Sequence, residues 1–315
     1  MSLNVLRTAE SWWVEEGGRA VAVGTAARTT AELLTDRPAV TEAARGLGSN
    51  APGVPVTELA LLSPVTTPCR VVAQMVNYRS HARDSGFDPA GVPITFFRKA
   101  SGSVSGPAGT IVRPPHVRLL DYEIELGLVM GARLPVGATV TDADLPTYVA
   151  GLVVANDVSA RDVQLTKTQF YESKSYPTFT PVGPRLVLLE PGEFARLTDL
   201  RLQLSVNQVL RQDRTVADMI APPAASLTAL ARFQPMEPGD LLLTGTPGGT
   251  ALKAPPKPVE LIGGLLPPAL KWRIFLGRQA RVPAYLRDGD LVTARIATGD
   301  GAIDLGCQRT PVRHA

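Results

Sequence analysis

Cysteine is nearly absent: Cys69 and Cys307 are the only two in 315 residues. Such a pair builds neither a disulfide framework nor a cysteine-rich zinc site, and both are expected as reduced thiols of a cytoplasmic protein. Aromatic residues make up only 5% of the chain, so the core must be assembled mainly from Leu, Val, Ile and Ala. No run reaches the roughly 18 apolar residues that a membrane span requires, and residues 1–10 lack the apolar centre of a signal peptide. Neither sign of charge dominates, since 32 basic against 29 acidic residues leave +3, spread along the sequence. No basic block interleaved with aromatics occurs, so no nucleic-acid partner is expected despite a pI near 9.0. What is present is 44% hydrophobic residues against 19% charged, the balance of a chain that folds around a substantial core.

Two segments differ in texture. Residues 1–66 carry a strand pattern at 19–24, helical patterns at 29–34 and 39–47, and a Pro- and Gly-containing connection at 49–55. With no catalytic cluster, this stretch is expected as a small, separate N-terminal α+β domain serving packing or oligomer contact. From 67 to 315, short strand patterns recur at 70–76, 94–97, 120–131, 151–155, 185–189, 200–206, 241–243, 291–296 and 302–305. Helical patterns are few, at 141–148, 215–220 and 224–232. Many short strands with few helices predict a mixed, β-dominated α+β architecture. A Pro-rich, apolar and basic stretch at 254–283 interrupts this pattern.

The second segment is organised around Leu120-Asp121-Tyr122-Glu123-Ile124-Glu125-Leu126, which continues as an apolar strand to Met130. On a strand, side chains at i and i+2 leave from one face, so Glu123 and Glu125 stand side by side. Two carboxylates that close repel, and one takes up a proton unless a cation lies between them. Hard oxygen donors of this kind suit a divalent ion. The alternative is a solvated edge strand of alternating polarity, which a bare Glu-x-Glu does not exclude.

Further motifs follow in a fixed order: Asn77-Tyr78-x-x-His81 before the acidic strand, then Asn156-Asp157-Val158-Ser159-Ala160-Arg161-Asp162-Val163-Gln164, Lys174-Ser175, Gly183-Pro184, Gly239-Asp240 and Thr244-Gly245-Thr246-Pro247-Gly248. Together with Tyr285-Leu286-Arg287-Asp288-Gly289-Asp290 they resemble the fumarylacetoacetate hydrolase family, over about residues 68–249 and again at 285–290. The resemblance implies a fumarylacetoacetase C-terminal-like β-sandwich roll and a homodimer. It also implies Mg²⁺ or Mn²⁺, with Ca²⁺ as the alternative, held by Glu123, Glu125 and Asp157. Asp121 and Asp162 are then expected outside the ligand set, in supporting or turn roles.

In the family the matching histidine activates water with a nearby acid, which in shorter members is the Glu of a His-x-x-Glu pair. Here Asp84 stands in that position, one methylene shorter, and at i and i+3 it can meet His81 on one helical face. Lys174 matches the lysine that holds substrate or the developing enolate. Arg161 and Gln164 match groups that stabilise a leaving carbanion, and Tyr78 and Thr246 match substrate contacts. Arg161 has the alternative of an ion pair with Asp157 or Asp162, and Thr246 that of shaping its own turn. Lys99 is a further candidate cation, while His116 and His314 read as loop residues.

The resemblance therefore implies a metal-dependent enzyme acting on a small molecule. The first expectation is hydrolysis of a carbon–carbon bond in an acylpyruvate or related β-dicarbonyl, through a His81-activated water and a stabilised enolate. Decarboxylation, tautomerisation or isomerisation of a 2-oxo acid, including a tailoring reaction on a larger substrate, is the alternative. A binding protein without turnover is disfavoured by the complete set of candidate catalytic groups. The 254–283 stretch is expected to act as a lid or as a dimer contact that covers Leu261, Ile262, Leu265 and Leu266.

Overall fold

The computed structural model describes residues 2–48, 53–167, 169–254 and 267–315. Strands β1 (Leu3–Arg7), β2 (Trp12–Glu16) and β3 (Arg19–Ala22) form an antiparallel meander, with helices α1 (Thr30–Thr35) and α2 (Arg37–Gly48) before the edge strand β4 (Val54–Pro55). Helix α1 begins in a capping box: the Thr29 hydroxyl accepts from the Glu32 N–H, and the Glu32 carboxylate accepts from the Thr29 N–H. Two donors that the helix cannot satisfy itself are thereby bonded. Strand β5 (Val71–Met75) leads into α3 (Arg79–Asp84) and returns as β6 (Thr95–Lys99). Short strands β7 (Val104–Ser105), β8 (Ile111–Arg113) and β9 (Leu120–Asp121) precede β10 (Ile124–Met130).

Helix α4 (Leu145–Tyr148) delivers the chain to β11 (Val149–Asn156), and β12 (Ser159–Ala160) runs directly into α5 (Arg161–Thr166) and α6 (Phe170–Lys174). After β13 (Thr180–Pro181) and β14 (Leu186–Leu188) come the hairpin of β15 (Arg201–Val206) and β16 (Val209–Thr215), then α7 (Pro223–Ala231) and β17 (Leu241–Leu243). Helix α8 (Pro268–Gln279) and strands β18 (Leu291–Ala297) and β19 (Asp304–His314) close the chain.

Ten strands form one sheet in the order β4-β3-β2-β1-β14-β11-β10-β17-β5-β6, and five form a second in the order β16-β15-β18-β19-β8. The architecture is the expected mixed, sheet-dominated α+β fold. Strands β10 and β11 are buried along their whole length, which is why both read as near-continuous apolar runs. The period of two then divides them between two cores. Ile124, Leu126, Leu128, Leu152 and Val154 join a cluster with Leu202, Leu204 and Ile296 of the five-stranded sheet. Val129, Val153, Ala155 and Leu243 join the other, with Val5, Trp12, Leu33 and Val40 from the N-terminal segment.

That segment therefore shares a sheet with the rest of the chain: β1 pairs antiparallel with β14, Val5 opposite Leu186. The hydrogen bonding runs across the boundary expected near residue 66, and a small N-terminal domain ending there is kept as a proposal. The acidic strand is also shorter than its pattern suggests, since Tyr122 and Glu123 lie between β9 and β10. The C-terminal strand is longer, reaching His314 where the pattern marked only 302–305. Of the stretch at 254–283, Leu261, Ile262, Leu265 and Leu266 lie outside the described residues, while the remainder includes α8. Among the described residues no helix is long and apolar enough to cross a membrane.

Candidate active site

Strand β10 pairs with β11 so that Ile124 faces Asn156 and Glu125 faces Ala155. Glu125 thus shares a face with Ala155 rather than with Leu126, and Glu123 lies two residues before it on that same side. The Asp157 N–H donates to the Glu123 carbonyl (2.8 Å) and the Asn156 side chain accepts from the Glu123 N–H (2.9 Å). These bonds tie the end of β11 to the irregular entry of β10. All three carboxylates are buried, and each offers an oxygen within 4.8 Å of the others. Three hard, anionic oxygen donors at that spacing fit a shared divalent ion of the Mg²⁺, Mn²⁺ or Ca²⁺ type.

Three buried cations surround the triad. Lys174, at the end of α6, donates to Glu123 Oε2 and Asp157 Oδ2, both at 2.6 Å. Lys99, the last residue of β6, donates to Asp157 Oδ1 and to the Phe179 carbonyl. Arg161, the first residue of α5, donates from Nε to Asp121 Oδ2 (2.8 Å), from Nη1 to Gln164 Oε1 (2.8 Å), and from Nη2 to Glu123 Oε1. Burial pushes the Glu123 carboxyl up, but the charges of Arg161 and Lys174 outweigh it and hold Glu123 ionised, well below the usual range. Burial pulls the Lys174 ammonium down, yet Asp157 and Glu123 more than reverse this and raise it. For Lys99 burial wins and the ammonium is lowered. Among the described residues no cation is bonded to Glu125: burial, then Asp157 and Glu123, outweigh the charge of Lys174 and push it well above the ordinary carboxyl value. Its Oε2 accepts the Gly245 N–H at 2.7 Å.

A cavity of about 580 Å³ opens onto this cluster, lined at its polar end by His81, Glu123, Glu125, Arg161, Lys174 and Thr246. His81 lies in the short helix α3, and its Nδ1 is buried without a hydrogen-bond partner among the described residues. Burial lowers its pKa, and the nearby Arg161 and Lys174 add to that against Glu123, so the imidazole is neutral at neutral pH.

Several expectations change here. Asp84 does not meet His81. Its Oδ2 instead accepts the Gly249 N–H at 3.0 Å and lies 4.0 Å from Lys253 Nζ. The helix ends at Asp84, and the glycine turn after β17 offers a backbone donor where the carboxylate points. Tyr78 is fully buried and absent from the cavity wall, because its neighbour Asn77 fastens the segment to Thr244 and Ala221 with side-chain bonds of 2.8–2.9 Å. Thr246 does face the cavity, but its hydroxyl donates to the Ile124 carbonyl (2.9 Å) and accepts from Gln212 (2.8 Å), which is the turn-shaping role.

Arg161 is ion-paired as the alternative reading had it, though to Asp121 and Glu123 rather than Asp157 or Asp162. Asp121 and Asp162 keep supporting roles: Asp121 also accepts the Ala251 and Leu252 N–H groups (2.9 and 3.1 Å), and Asp162 accepts the Arg118 N–H at 2.9 Å. His116 and His314 bond to Tyr176 and Arg113 at the surface. Lys99, only a further candidate in the sequence, is a full member of the charge cluster. Its position after an apolar strand that ends at the Asn-Asp motif in space could not be read from local pattern.

Residues 70–313 match the family model described as fumarylacetoacetate (FAA) hydrolase C-terminal. The chain belongs to the fumarylacetoacetate hydrolase family. It is 36% identical over 215 residues to "Oxaloacetate tautomerase FAHD2B, mitochondrial" of Bos taurus, covering 67% of each chain. A crystal structure of a probable 2-hydroxyhepta-2,4-diene-1,7-dioate isomerase from Mycobacterium abscessus superposes with a TM-score of 0.74 at 29% identity, covering 100% of this chain and 99% of that one. Maleylpyruvate hydrolase from Sphingobium sp. SYK-6 shares the fold, with a TM-score of 0.71 at 21% identity and 100% of both chains covered. The protein is thus an enzyme of a family whose members here include tautomerases, isomerases and hydrolases, and its acidic triad can hold a divalent metal ion.

Proposed function

We propose that this enzyme interconverts the keto and enol forms of a 2-oxo acid by proton transfer at the carbon next to the ketone. The observation that carries this reading is the uncoupling of His81 from Asp84. The His81 imidazole lines the cavity with its Nδ1 bonded to no carboxylate among the described residues, while Asp84 is engaged by Gly249 and Lys253. Water activation gains from an acid that orients the imidazole and stabilises its cation. Moving a proton reversibly between carbon and oxygen needs only a base of matched pKa. The relative named an oxaloacetate tautomerase supports the same chemistry.

A divalent ion held by Glu123, Glu125 and Asp157 would supply Lewis-acid polarisation of the ketone and acidify the neighbouring C–H. His81 takes the proton from carbon, the C–H electron pair becomes the C=C bond, the C=O π pair moves onto the ketone oxygen, and the His81 imidazolium returns the proton to that oxygen. Lys174, kept protonated by Glu123 and Asp157, sets a positive charge beside that oxygen. Arg161, fixed by Asp121 and Glu123, orients Gln164 toward the substrate. Carbon–carbon hydrolysis of an acylpyruvate is the second reading, favoured by the hydrolases among the fold neighbours. A homodimer and a cytoplasmic location are carried as further proposals, the first to be checked by light scattering.

Two variants separate the readings. His81→Ala should lower tautomerisation by about 10²–10⁴, with divalent binding retained by calorimetry. Asp84→Ala should stay within about tenfold of the parent, since general-base assistance does not pass through it. An Asp84→Ala enzyme as impaired as His81→Ala, together with turnover of acylpyruvates, would move the assignment to hydrolysis.

A further inference from the structure

The cavity has two unlike ends, and the second is not accounted for by the chemistry at the first. The chain contains only eight phenylalanines, yet Phe87, Phe97, Phe170 and Phe275 all line this one space, joined by Leu165 and Leu252. They come from four separate places in the chain: the loop after α3, strand β6, the start of α6, and helix α8. Phe97 and Phe170 meet edge to face, with centroids 5.5 Å apart at 76°. Phe87 is 57% exposed although it belongs to the wall. The aromatic surface begins immediately beside the charge cluster, since Lys174 Nζ lies 5.3 Å from the centroid of Phe97.

The charges argue in the same direction. Among the described residues the cations on the cavity wall are Arg161, Lys174 and Lys253, and each already faces a carboxylate: Asp121 and Glu123, Glu123 and Asp157, and Asp84. Lys174, 5.3 Å from the Phe97 ring, is bonded to Glu123 and Asp157, and Lys253 is exposed and paired across 4.0 Å with Asp84. A second carboxylate on the substrate would lie against phenylalanine rings with no unpaired cation among the described residues, at the cost of desolvation. An aromatic ring attached next to the reacting carbon would instead add apolar area against this wall, where Phe97 and Phe170 already pack in the edge-to-face geometry that rings prefer.

The geometry points to a 2-oxo monocarboxylic acid with an aryl group on its reacting carbon as the substrate of this site. The inference rests on the proton-transfer reading for the reaction, but the aryl subsite itself rests on the wall. Burying one ring at such a wall corresponds to about a 10- to 100-fold preference.

The test uses the full chain supplemented with Mn²⁺, phenylpyruvate and oxaloacetate as probes, following enol loss by ultraviolet absorbance and binding by calorimetry. The expected result is a kcat/KM about 10- to 100-fold higher for phenylpyruvate, with the preference lost or reversed in Phe87→Arg, where a free cation is set at the exposed rim. Turnover that favours oxaloacetate would overturn the aryl assignment and leave the proton-transfer reading standing. Absence of tautomerisation of either acid would remove that reading, and calorimetry then decides the subsite alone. Phenylpyruvate bound more tightly than oxaloacetate, with the margin shrinking in Phe87→Arg, upholds it, and equal or weaker binding overturns it.

Discussion

Arg161 and Arg201 are both gripped by carboxylates, yet they belong to regions that respond oppositely to change. Arg161, 4% exposed, is bonded to Asp121, Glu123 and Gln164 beneath the cavity. Arg201, on the outer face of the five-stranded sheet, meets Asp213 as a fork with two bonds of 2.6 Å but is 55% exposed. The geometries are equally good. What differs is the medium: water screens and replaces the partners of Arg201, whereas a partner lost beneath the cavity leaves a charge with nothing to solvate it. Buried ion clusters are therefore kept intact by the penalty for breaking them more than by any gain from forming them.

The buried cluster is most exposed to change at Glu123, which accepts from both Arg161 and Lys174. Glu123→Ala should lose divalent binding and about 3–5 kcal/mol of stability, read by calorimetry and by denaturant midpoint. A loss below about 1 kcal/mol, the range of surface pairs, would mean that the cavity hydrates the cluster as the surface does.

A smaller effect is expected at the backbone that supports the cluster. Gly245 has φ +88°, a Cβ there would lie 2.7 Å from Asn77 Cβ, and its N–H donates to Glu125 at 2.7 Å. Gly245→Ala should cost about 1–3 kcal/mol through left-handed strain and crowding, and should weaken metal binding because Glu125 is displaced. An unchanged midpoint with unchanged metal affinity would uncouple the turn after β17 from the ionic floor. The smallest effect belongs to the exposed pair: Arg201→Ala should leave the melting temperature within experimental scatter, with any difference fading as salt is raised. A shift that persists at high salt would show that the fork acts through packing, and would narrow the contrast with Arg161.

Legibility follows the same division. The pairing of Glu123 with Glu125 was readable because it depends only on the two-residue repeat of a strand, and Asp157 because its motif directly follows the next apolar run. The fold class was readable for the same local reasons, in strands such as β5, β11 and β17 whose apolar residues are contiguous. Strands β1 and β2 escaped because the former pairs with β14, some 180 residues away, and neither alternates cleanly. The partner of Asp84 escaped too, because the spacing of His81 and Asp84 favours a helical pair, and only the arrival of Gly249 from a distant turn offers the carboxylate a better donor.

The sequence by itself determined that Glu123 and Glu125 stand together and which way the central strands face, because backbone periodicity fixes both before any long-range contact forms. Tertiary structure alone decided which cations close around the carboxylates and that four scattered phenylalanines share one wall. Both are outcomes of packing between elements far apart in the chain, where burial and charge pairing select among arrangements that local geometry leaves equal.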